Sequence, residues 1–488
     1  MIGPYAVEQD YSHYVSRSSG INFAVVGTAS KGPVGVPTLC TSGTDLLRKF
    51  GDTSPEHLAV YAAKYYLSGG STLYFVRAAS STTEPKEATA TIKGTVAGVA
   101  DTTALTFTAV DPGTYYNTIS IKVVKRTSDD NYNVIIQSSD GIALESRVLD
   151  LSADPKEFVS AYVELTIKAE AITLLSTDAV KMTGGTDGTT NIKDSDYIAA
   201  GKKLSTDKVD MNLFAVPGVS SKEVITEMLK LAEDRGDCLF LVDPPKEQDT
   251  PDKVRTWHNG GDTTGVKLVS DYGALYYSWQ YILDGSEKVL VPPSVVLGYT
   301  FATSARESEI WFPVAGVQRG LVQGVFEPAY APDSGEVAGL YDDGNSVNCI
   351  INDPTYGLVV WGQKTLSRTN TATNRVNVRM LINYLKRVVV SACKYLTFEP
   401  NDRITWNAFE DLVEPTLKDI GNRRGLYAYK IVKGEAIVTD DDIDNYRMPC
   451  KIMIQPTKAA EVIPIYFTIT STGADFNQIL ESEGIIEG

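Results

Sequence analysis

The chain has 488 residues, of which 43% are apolar and 22% are charged, and these proportions are typical of a folded protein. Its 61 Asp and Glu residues outnumber its 45 Lys and Arg residues, giving a net charge of −16. This charge argues against binding to nucleic acids or anionic membranes, because both require clustered cations.

Residues 1–20 are predicted to form an extended arm rather than a domain, and we expect no signal peptide there. The side chains of Tyr5, Val7 and Tyr11 share one parity, which is the spacing of a strand with one apolar face. One interpretation is an edge strand of the chain's own domain. The other is an arm that reaches outside it.

A compact α/β unit follows the arm. Residues 22–26 have the pattern of a buried strand, and the glycine-rich loop GTASKGPVGV follows at residues 27–36. Residues 55–67 have the signals of a helix, and residues 72–78 have those of a second strand. The order strand, helix, strand is typical of a parallel sheet.

Residues 86–190 are predicted to be an insertion in this unit. They are rich in threonine and contain short alternating segments, with turn signals at residues 111–113 and 140–141. This pattern predicts a β-rich domain of sandwich-like or barrel-like form. One helix is predicted to cross it at residues 155–165.

The α/β pattern resumes after the insertion, so residues 21–85 and 191–355 are predicted to form one middle domain. Ser220 and Glu223 have the spacing of a capping box at the start of a helix. Strands are predicted at residues 212–216, 237–242, 272–279 and 288–291.

Residues 356–488 are predicted to form a C-terminal domain of two helices packed on a mixed sheet. Its strands are predicted at residues 426–432, 451–455 and 462–470. Apolar residues fall at helical spacing at Val378, Leu381, Ile382, Leu385, Val388, Val389 and Ala392, and again at Trp406, Phe409, Leu412 and Val413. The predicted fold class is multidomain α+β or α/β: an α/β core, an inserted β-rich domain, this C-terminal α/β domain, and extended terminal arms.

Two motifs that could indicate catalysis or nucleotide binding fail in detail. In the loop at residues 27–36, Lys31 precedes Gly32 and Pro33 removes an amide donor, so the loop does not match a phosphate-binding loop. The SxxK motif at residues 391–394 lies on a predicted core helix, and the SDN and KTG motifs that accompany it in β-lactamases are missing. A tight turn and a core helix are the favoured interpretations.

The sequence signals for a metal site or an acid–base site are equally weak. Three histidines without ligand spacing, and five scattered cysteines without CxxC, argue against a zinc site. Residues 440–444 resemble the start of a calcium loop, but Asn445 and Lys451 stand where that loop needs Gly and Glu. His258 beside Asp262 could be a general base, but no nucleophile accompanies it. We therefore expect no catalytic residue, metal or cofactor, and no enzyme.

Several segments stand in an order that resembles a known family. They are Gly3-Pro4-Tyr5, FAVVGTASKGPVGVPTL, DLLRKFG, LYFVRAAS, ALYYSW, VPPS, WFPVAG, VWGQKTLSR, NVRMLINYLKR, FEPND and QPTKAAEVIPIYFTIT. This series resembles the contractile-tail sheath proteins of phage tails, R-type bacteriocins and related injection machines. The resemblance covers nearly the whole chain outside residues 86–190, although Met380, Ala459 and Ala460 depart from the family pattern.

The resemblance implies a structural subunit that polymerises around an inner tube and contracts to drive the tube through a target cell envelope. It implies as partners other copies of the chain in helically stacked rings, the inner tube protein, and baseplate and tail-terminator proteins. Nucleic acid and membrane insertion are not expected. Assembly is expected in the cytoplasm of the bacterial host, followed by a place in a phage virion or a released tail-like particle.

The resemblance also suggests which residues link subunits. Sheath proteins join their neighbours by adding terminal strands to another subunit's sheet. The expected linking residues are Tyr5, Val7 and Tyr11 in the N-terminal arm, and Ile463, Ile465, Phe467 and Ile469 in a C-terminal strand. The alternative is that the C-terminal strand closes the sheet of its own domain.

The resemblance places the C-terminal domain inward, next to the tube, and the insertion outward. Lys418, Arg423 and Arg424, at the exit of the helix predicted around residues 404–420, are therefore candidates for facing the tube. The alternative is that these cations complement the end of their own helix.

Two other functions stay open from the sequence. One is a cytoplasmic α/β enzyme with an appended β domain, which would use the 27–36 loop or His258. The other is a surface adhesin, suggested by the threonine-rich residues 81–120.

Overall fold

The structure is a computed structural model, and it describes residues 20–96, 98–168, 172–174, 178–261, 263–342 and 344–465. The chain up to Pro456 forms one compact unit, and a second unit begins at Thr457. Of the second unit, residues 457–465 are described, and they contain neither helix nor strand beyond Pro456. The predicted N-terminal arm, with Tyr5, Val7 and Tyr11, lies outside the described residues.

The strands in chain order are β1 (Phe23–Gly27), β2 (Thr38–Cys40), β3 (Leu73–Arg77), β4 (Thr89–Val96), β5 (Val99–Ala109), β6 (Ile119–Lys125), β7 (Tyr132–Ser138), β8 (Ala143–Leu149), β9 (Val163–Ile167), β10 (Ile172–Thr173), β11 (Val180–Lys181), β12 (Leu213–Ala215), β13 (Leu239–Val242), β14 (Gly273–Tyr277), β15 (Gln280–Asp284), β16 (Glu287–Val291), β17 (Glu327–Pro328), β18 (Val347–Asp353), β19 (Gly357–Trp361), β20 (Leu426–Val432) and β21 (Lys451–Pro456). The helices are α1 (Gly43–Phe50), α2 (Leu58–Leu67), α3 (Asp194–Lys202), α4 (Lys222–Arg235), α5 (Pro251–His258), α6 (Pro293–Glu307), α7 (Gly316–Arg319), α8 (Ser334–Tyr341), α9 (Val376–Cys393), α10 (Arg403–Asn422) and α11 (Asp440–Asp444).

An eight-stranded sheet organises the middle of the chain, in the order β19-β18-β14-β13-β12-β1-β3-β2. The six central strands run parallel, and the two edge strands, β2 and β19, are antiparallel to their neighbours. The prediction of a mixed α/β fold is confirmed.

The sheet is covered on both faces, as a parallel sheet must be when helices connect its strands. In β1 the side chains of Phe23 and Val25 belong to one apolar cluster, which also holds residues of α2, α6, α9 and α10. Ala24 and Val26 point to the other face, into a cluster shared with α3, α4 and α5. Because both faces of β1 are covered, its four consecutive residues 23–26 are all apolar.

Between β3 and β12 the chain forms two four-stranded antiparallel sheets, β10-β4-β5-β9 and β11-β6-β7-β8. Their inward side chains make one apolar core, with Phe107 from the first sheet and Val134 from the second. The helix predicted at residues 155–165 is wrong. A single 3-10 turn covers Pro155–Glu157, and the buried Val163 and Leu165 alternate with exposed residues along strand β9.

Three further expectations need correction. Helix α4 is capped by Ser221, whose hydroxyl accepts from the backbone of Val224, and not by Ser220. Strand β19 pairs with β18 of the large sheet, so the predicted domain boundary at residue 356 falls inside a β-hairpin. The predicted mixed sheet of the C-terminal region is, within the described residues, the antiparallel pair β20–β21.

The two long C-terminal helices form as predicted. On α9, Val378, Leu381, Leu385 and Ala392 are buried, and on α10, Phe409 and Val413 are buried. Strand β20 packs against α10, and both helices contribute to the same apolar cluster as the large sheet. No helix among the described residues has the length and apolar character needed to cross a bilayer.

Candidate functional site

The glycine-rich loop after β1 is filled by the chain itself. The buried Lys31 ammonium lies 3.6 Å from the centre of the Tyr115 ring, and Tyr115 donates its backbone N–H to the carbonyl of Ser30. Burial lowers the pKa of Lys31 to about 8, while Asp111 acts in the opposite direction. This loop therefore anchors the β-sheet insertion, and its cation is engaged inside the chain rather than offered to a phosphate.

A buried arginine strengthens the same junction. The Arg77 guanidinium donates to the carbonyl oxygens of Gly32, Pro112 and Asp187, at 2.7, 2.6 and 3.0 Å. These three acceptors come from the glycine-rich loop, from the turn after β5 inside the insertion, and from the C-terminal end of the insertion. One side chain thus ties the insertion to the edge of the large sheet.

The carboxylate of Asp187 completes the junction. It accepts from the Thr114 hydroxyl at 2.7 Å and lies 3.7 Å from Nε2 of His57. Burial by itself would raise the pKa of Asp187, but the hydrogen bonds from His57 and Thr114 outweigh it and hold the pKa below its usual value. The carboxylate therefore stays charged within a buried hydrogen-bond network.

His258 does not have the setting of a general base. Its ring is fully buried, and burial, followed by the nearby Arg368, lowers its pKa to about 4. Arg368 donates to the backbone carbonyl of His258. The suggested partner Asp262 lies outside the described residues.

A second buried carboxylate escaped the sequence analysis. Asp243 follows β13 and accepts from the backbone and the hydroxyl of Ser294, at 2.9 and 2.5 Å, where helix α6 begins. Burial raises the pKa of Asp243 to about 6. In this position Asp243 satisfies the start of α6, which is a structural task.

The candidate tube-facing cations lie together at the C-terminal end of α10, and all three are exposed. Arg423 forms ion pairs with Asp419 and Glu309, and its guanidinium lies 5.5 Å from the centre of the Trp311 ring. Arg423 therefore fastens α10 to the segment before α7. Lys418 and Arg424 project from the same helix end.

The β20–β21 pair has one covered face and two open edges. Tyr429 lies opposite Ile454 and Ile431 opposite Ile452, and these four side chains pack on the core. Met453 on the other face is exposed, and so is Tyr427 at the bulge in β20. Among the described residues, neither strand pairs with a further strand on its outer edge. Such edges are templates for an added strand.

The residues expected to supply an added strand are only partly described. Ile463 and Ile465 are about three-quarters exposed and lie in a segment with neither helix nor strand. Phe467 and Ile469 lie outside the described residues. The strand predicted from residue 462 is therefore not found over residues 462–465.

Two family models match the chain in tandem. The phage tail sheath protein central domain matches residues 190–366, and the phage tail sheath C-terminal domain matches residues 368–472. Together they cover more than half of the 488 residues. The chain belongs to the phage tail sheath family. The sheath C-terminal match contains α9, α10 and the β20–β21 pair, and it extends across Ile463 and Ile469.

Curated sheath proteins are longer than this chain. The tail sheath protein of Vibrio phage KVP40 is 28% identical over 321 residues, which is 61% of this chain and 47% of that protein. The chain spans about half the length of the curated relatives it matches.

Solved sheath structures share the fold. The sheath tail protein of Desulfitobacterium hafniense has 13% identity and a TM-score of 0.62, over 94% of this chain and 100% of that one. The helical sheath of the anti-feeding prophage, in its contracted state, has 18% identity and a TM-score of 0.58, over 96% and 99%. At such identities the likeness concerns the fold.

Proposed function

We propose that the chain is a structural subunit of a contractile tail sheath, which polymerises around an inner tube and contracts to drive the tube through a target cell envelope. The observation that carries this proposal is the β20–β21 pair, whose two outer edges pair with no further strand among the described residues. The pair lies inside the segment that matches the sheath C-terminal domain. The open edges are an aggregation hazard for a monomer, whereas an assembly protein can use them.

The added strands come from other copies of the chain. Each of two segments has apolar residues at alternate positions, as a donor strand with one apolar face requires. The first segment contains Tyr5, Val7 and Tyr11, and the second contains Ile463, Ile465, Phe467 and Ile469. A donor strand of this kind gains backbone hydrogen bonds along the edge and buries its alternate side chains. The absence of a strand at residues 462–465 of the single chain is what this arrangement predicts before a neighbour is present.

The domains follow the sheath plan. Residues 1–20 form the linking arm, residues 21–85 and 191–361 the middle domain, residues 86–190 the outer insertion, and residues 362–488 the inner domain. Since β18 and β19 form one hairpin, the inner domain begins after Trp361. Of the three candidate cations, Arg423 holds its helix in place, so Lys418 and Arg424 are the two proposed to contact another protein of the particle.

Contraction needs no cofactor and no catalysis. Free energy is released because contacts between copies differ between an extended and a contracted arrangement. Besides its own copies, the subunit contacts the inner tube, the baseplate and the tail terminator. It assembles in the host cytoplasm and becomes part of a virion or a released tail-like particle.

Electron microscopy of the concentrated full-length protein tests this proposal. We expect tubular polymers from the natural sequence, and folded, unpolymerised protein when Tyr5, Val7 and Tyr11 are all changed to Ser. The matched control changes Ala6, Glu8 and Asp10 to Ser, on the opposite face of the arm, and should still polymerise. A natural chain that stays monomeric would overturn the function. A triple variant that polymerises normally would overturn only the role of the arm.

A further inference from the structure

Three large apolar side chains near the N-terminal end of α10 are almost fully exposed to solvent. The exposed fractions are 100% for Phe398, 97% for Tyr446 and 78% for Ile404. We call these three residues the aromatic rim. Phe398 and Tyr446 are the most exposed large apolar side chains of the described residues, and exposed apolar side chains that cluster mark interaction sites.

The backbone of the rim is also strained. Phe398 has a φ of 74° and Tyr446 a φ of 57°, in the left-handed region that favours glycine and is uncommon for bulky residues. Tyr446 follows the cap of α11, where Gly or Asn usually ends a helix. Strain of this kind is concentrated at binding and active sites.

Asn401 holds the rim together. Its side-chain amide donates to the backbone carbonyl of Arg447 at 2.8 Å and accepts from Nε1 of Trp406 at 2.8 Å. The loop before α10 and the loop after α11 are therefore fixed side by side. Phe398 and Tyr446, which are 48 positions apart in the chain, are thereby brought to the same end of α10.

The charges around α10 are polarised along its length. The segments that carry the rim, residues 397–404 and 439–447, contain six carboxylates and two arginines. The opposite end, residues 418–424, contains Lys418, Arg423 and Arg424 against Asp419. Arg319 also lies there: burial first, and then Arg424, lowers its pKa. The helix has 20 residues, so its negative and positive ends are roughly 30 Å apart.

We propose that the aromatic rim docks on the basic end of α10 in a second copy of the chain. The negative segments around the rim then meet Lys418 and Arg424 of that copy, and the two rings leave water. A contact between two different patches can repeat from copy to copy, and it builds an open helical polymer when the rotation between copies does not close a ring. This proposal rests on the sheath function and adds a contact separate from strand exchange.

Two sets of variants of the full-length protein test it. The pair Phe398→Asn and Tyr446→Asn removes the rings but keeps a residue that tolerates left-handed backbone. We expect the concentration needed for polymerisation to rise by more than ~10-fold, since aromatic anchors dominate such contacts, with no fall in the melting temperature of the monomer. Tyr356→Asn, which removes an exposed ring from the β18–β19 turn, is the matched control and should polymerise as the natural chain does.

Exchanging the charges of the two surfaces tests whether a second copy of the chain covers the aromatic rim. Changing Asp440 and Asp444 to Lys should suppress polymerisation, and adding Lys418→Glu with Arg424→Glu to the same chain should restore it. Suppression without rescue would overturn the head-to-tail pairing. Normal polymers from the double Asn variant, with binding lost only to tube protein, would assign the rim to the tube and overturn this proposal while leaving the sheath function intact. A natural chain that forms no polymer would remove the sheath function itself, and this contact with it.

Discussion

At the scale of single residues, buried polar groups in this protein fix segments that are distant in sequence. Arg77 joins three backbone carbonyls, from the 27–36 loop, the turn after β5 and the C-terminal end of the insertion. Asp243 holds the start of α6 through Ser294. Such groups resemble active-site residues in burial and shifted pKa, and only their partners reveal that the task is structural.

Asp243 makes stability depend on pH in a defined direction. Burial raises its pKa to about 6 in the folded protein, above roughly 3.9 in an unfolded chain. The folded state therefore binds the proton more tightly, and the stability from this group is full below about pH 4 and is lost as pH rises through 6. The loss is on the order of 3 kcal/mol.

Asp243→Asn, a permanently neutral replacement, should cancel this dependence. We expect the melting temperature of the natural chain, relative to the variant, to fall between pH 4 and pH 7. Differential scanning calorimetry at several pH values measures it. Asp140→Asn, which changes an exposed carboxylate in a hairpin turn, serves as the control. A melting difference that does not change with pH would contradict the buried-carboxylate argument.

At the scale of elements, the β20–β21 pair differs from the other sheets. Among the described residues, the other sheets have eight, four, four and three strands, whereas this pair has two. Two-stranded sheets are of marginal stability unless they pack on something, and here α10 supplies one face. The pair is thus well enough held to persist and open enough to accept a strand.

The proposed donor strand makes a face-specific prediction. Phe467→Asp and Ile469→Asp place charges on the apolar face of the strand, so they should strongly lower polymer yield because a buried charge must be desolvated. Thr468→Asp, on the opposite face, is the control and should have a smaller effect. Sedimentation of polymer measures the yield. Equal losses from both faces would contradict strand addition in this register.

At the scale of the whole molecule, the charge of −16 becomes important once many copies stack. Repulsion between copies extends over a Debye length, which is about 10 Å at 0.1 M salt and about 30 Å at 0.01 M. Close contacts such as the aromatic rim lose less to screening than this long-range repulsion does. Net charge therefore opposes assembly most at low salt.

Polymer yield should accordingly rise when ionic strength increases from about 0.01 M to about 0.1 M. Pelleting of the full-length protein at fixed concentration measures the yield. An uncharged osmolyte at matched osmolality is the control and should leave the yield at its low-salt value. The same yield at both ionic strengths would argue against repulsion as the opposing force.

The sequence by itself determined the elements in which the spacing of apolar residues reveals a buried face. Helices α9 and α10 were predicted from apolar spacing, and strands β1, β3, β12 and β13 from short apolar runs. Phe398 lies in the FEPND segment of the family resemblance, but nothing in the sequence indicated its left-handed backbone. The family resemblance came from the order of such segments along the chain.

The tertiary structure decided what depends on residues distant in sequence. Helix α6 was missed because 11 of its 15 residues are buried, which leaves no amphipathic period to read. Strands β1 and β12 are neighbours in the sheet although the whole insertion separates them in the chain. Asn401 links the loops that carry Phe398 and Tyr446. Local patterns report which face of an element is buried, whereas strand order, junctions and surfaces depend on contacts that no local period encodes.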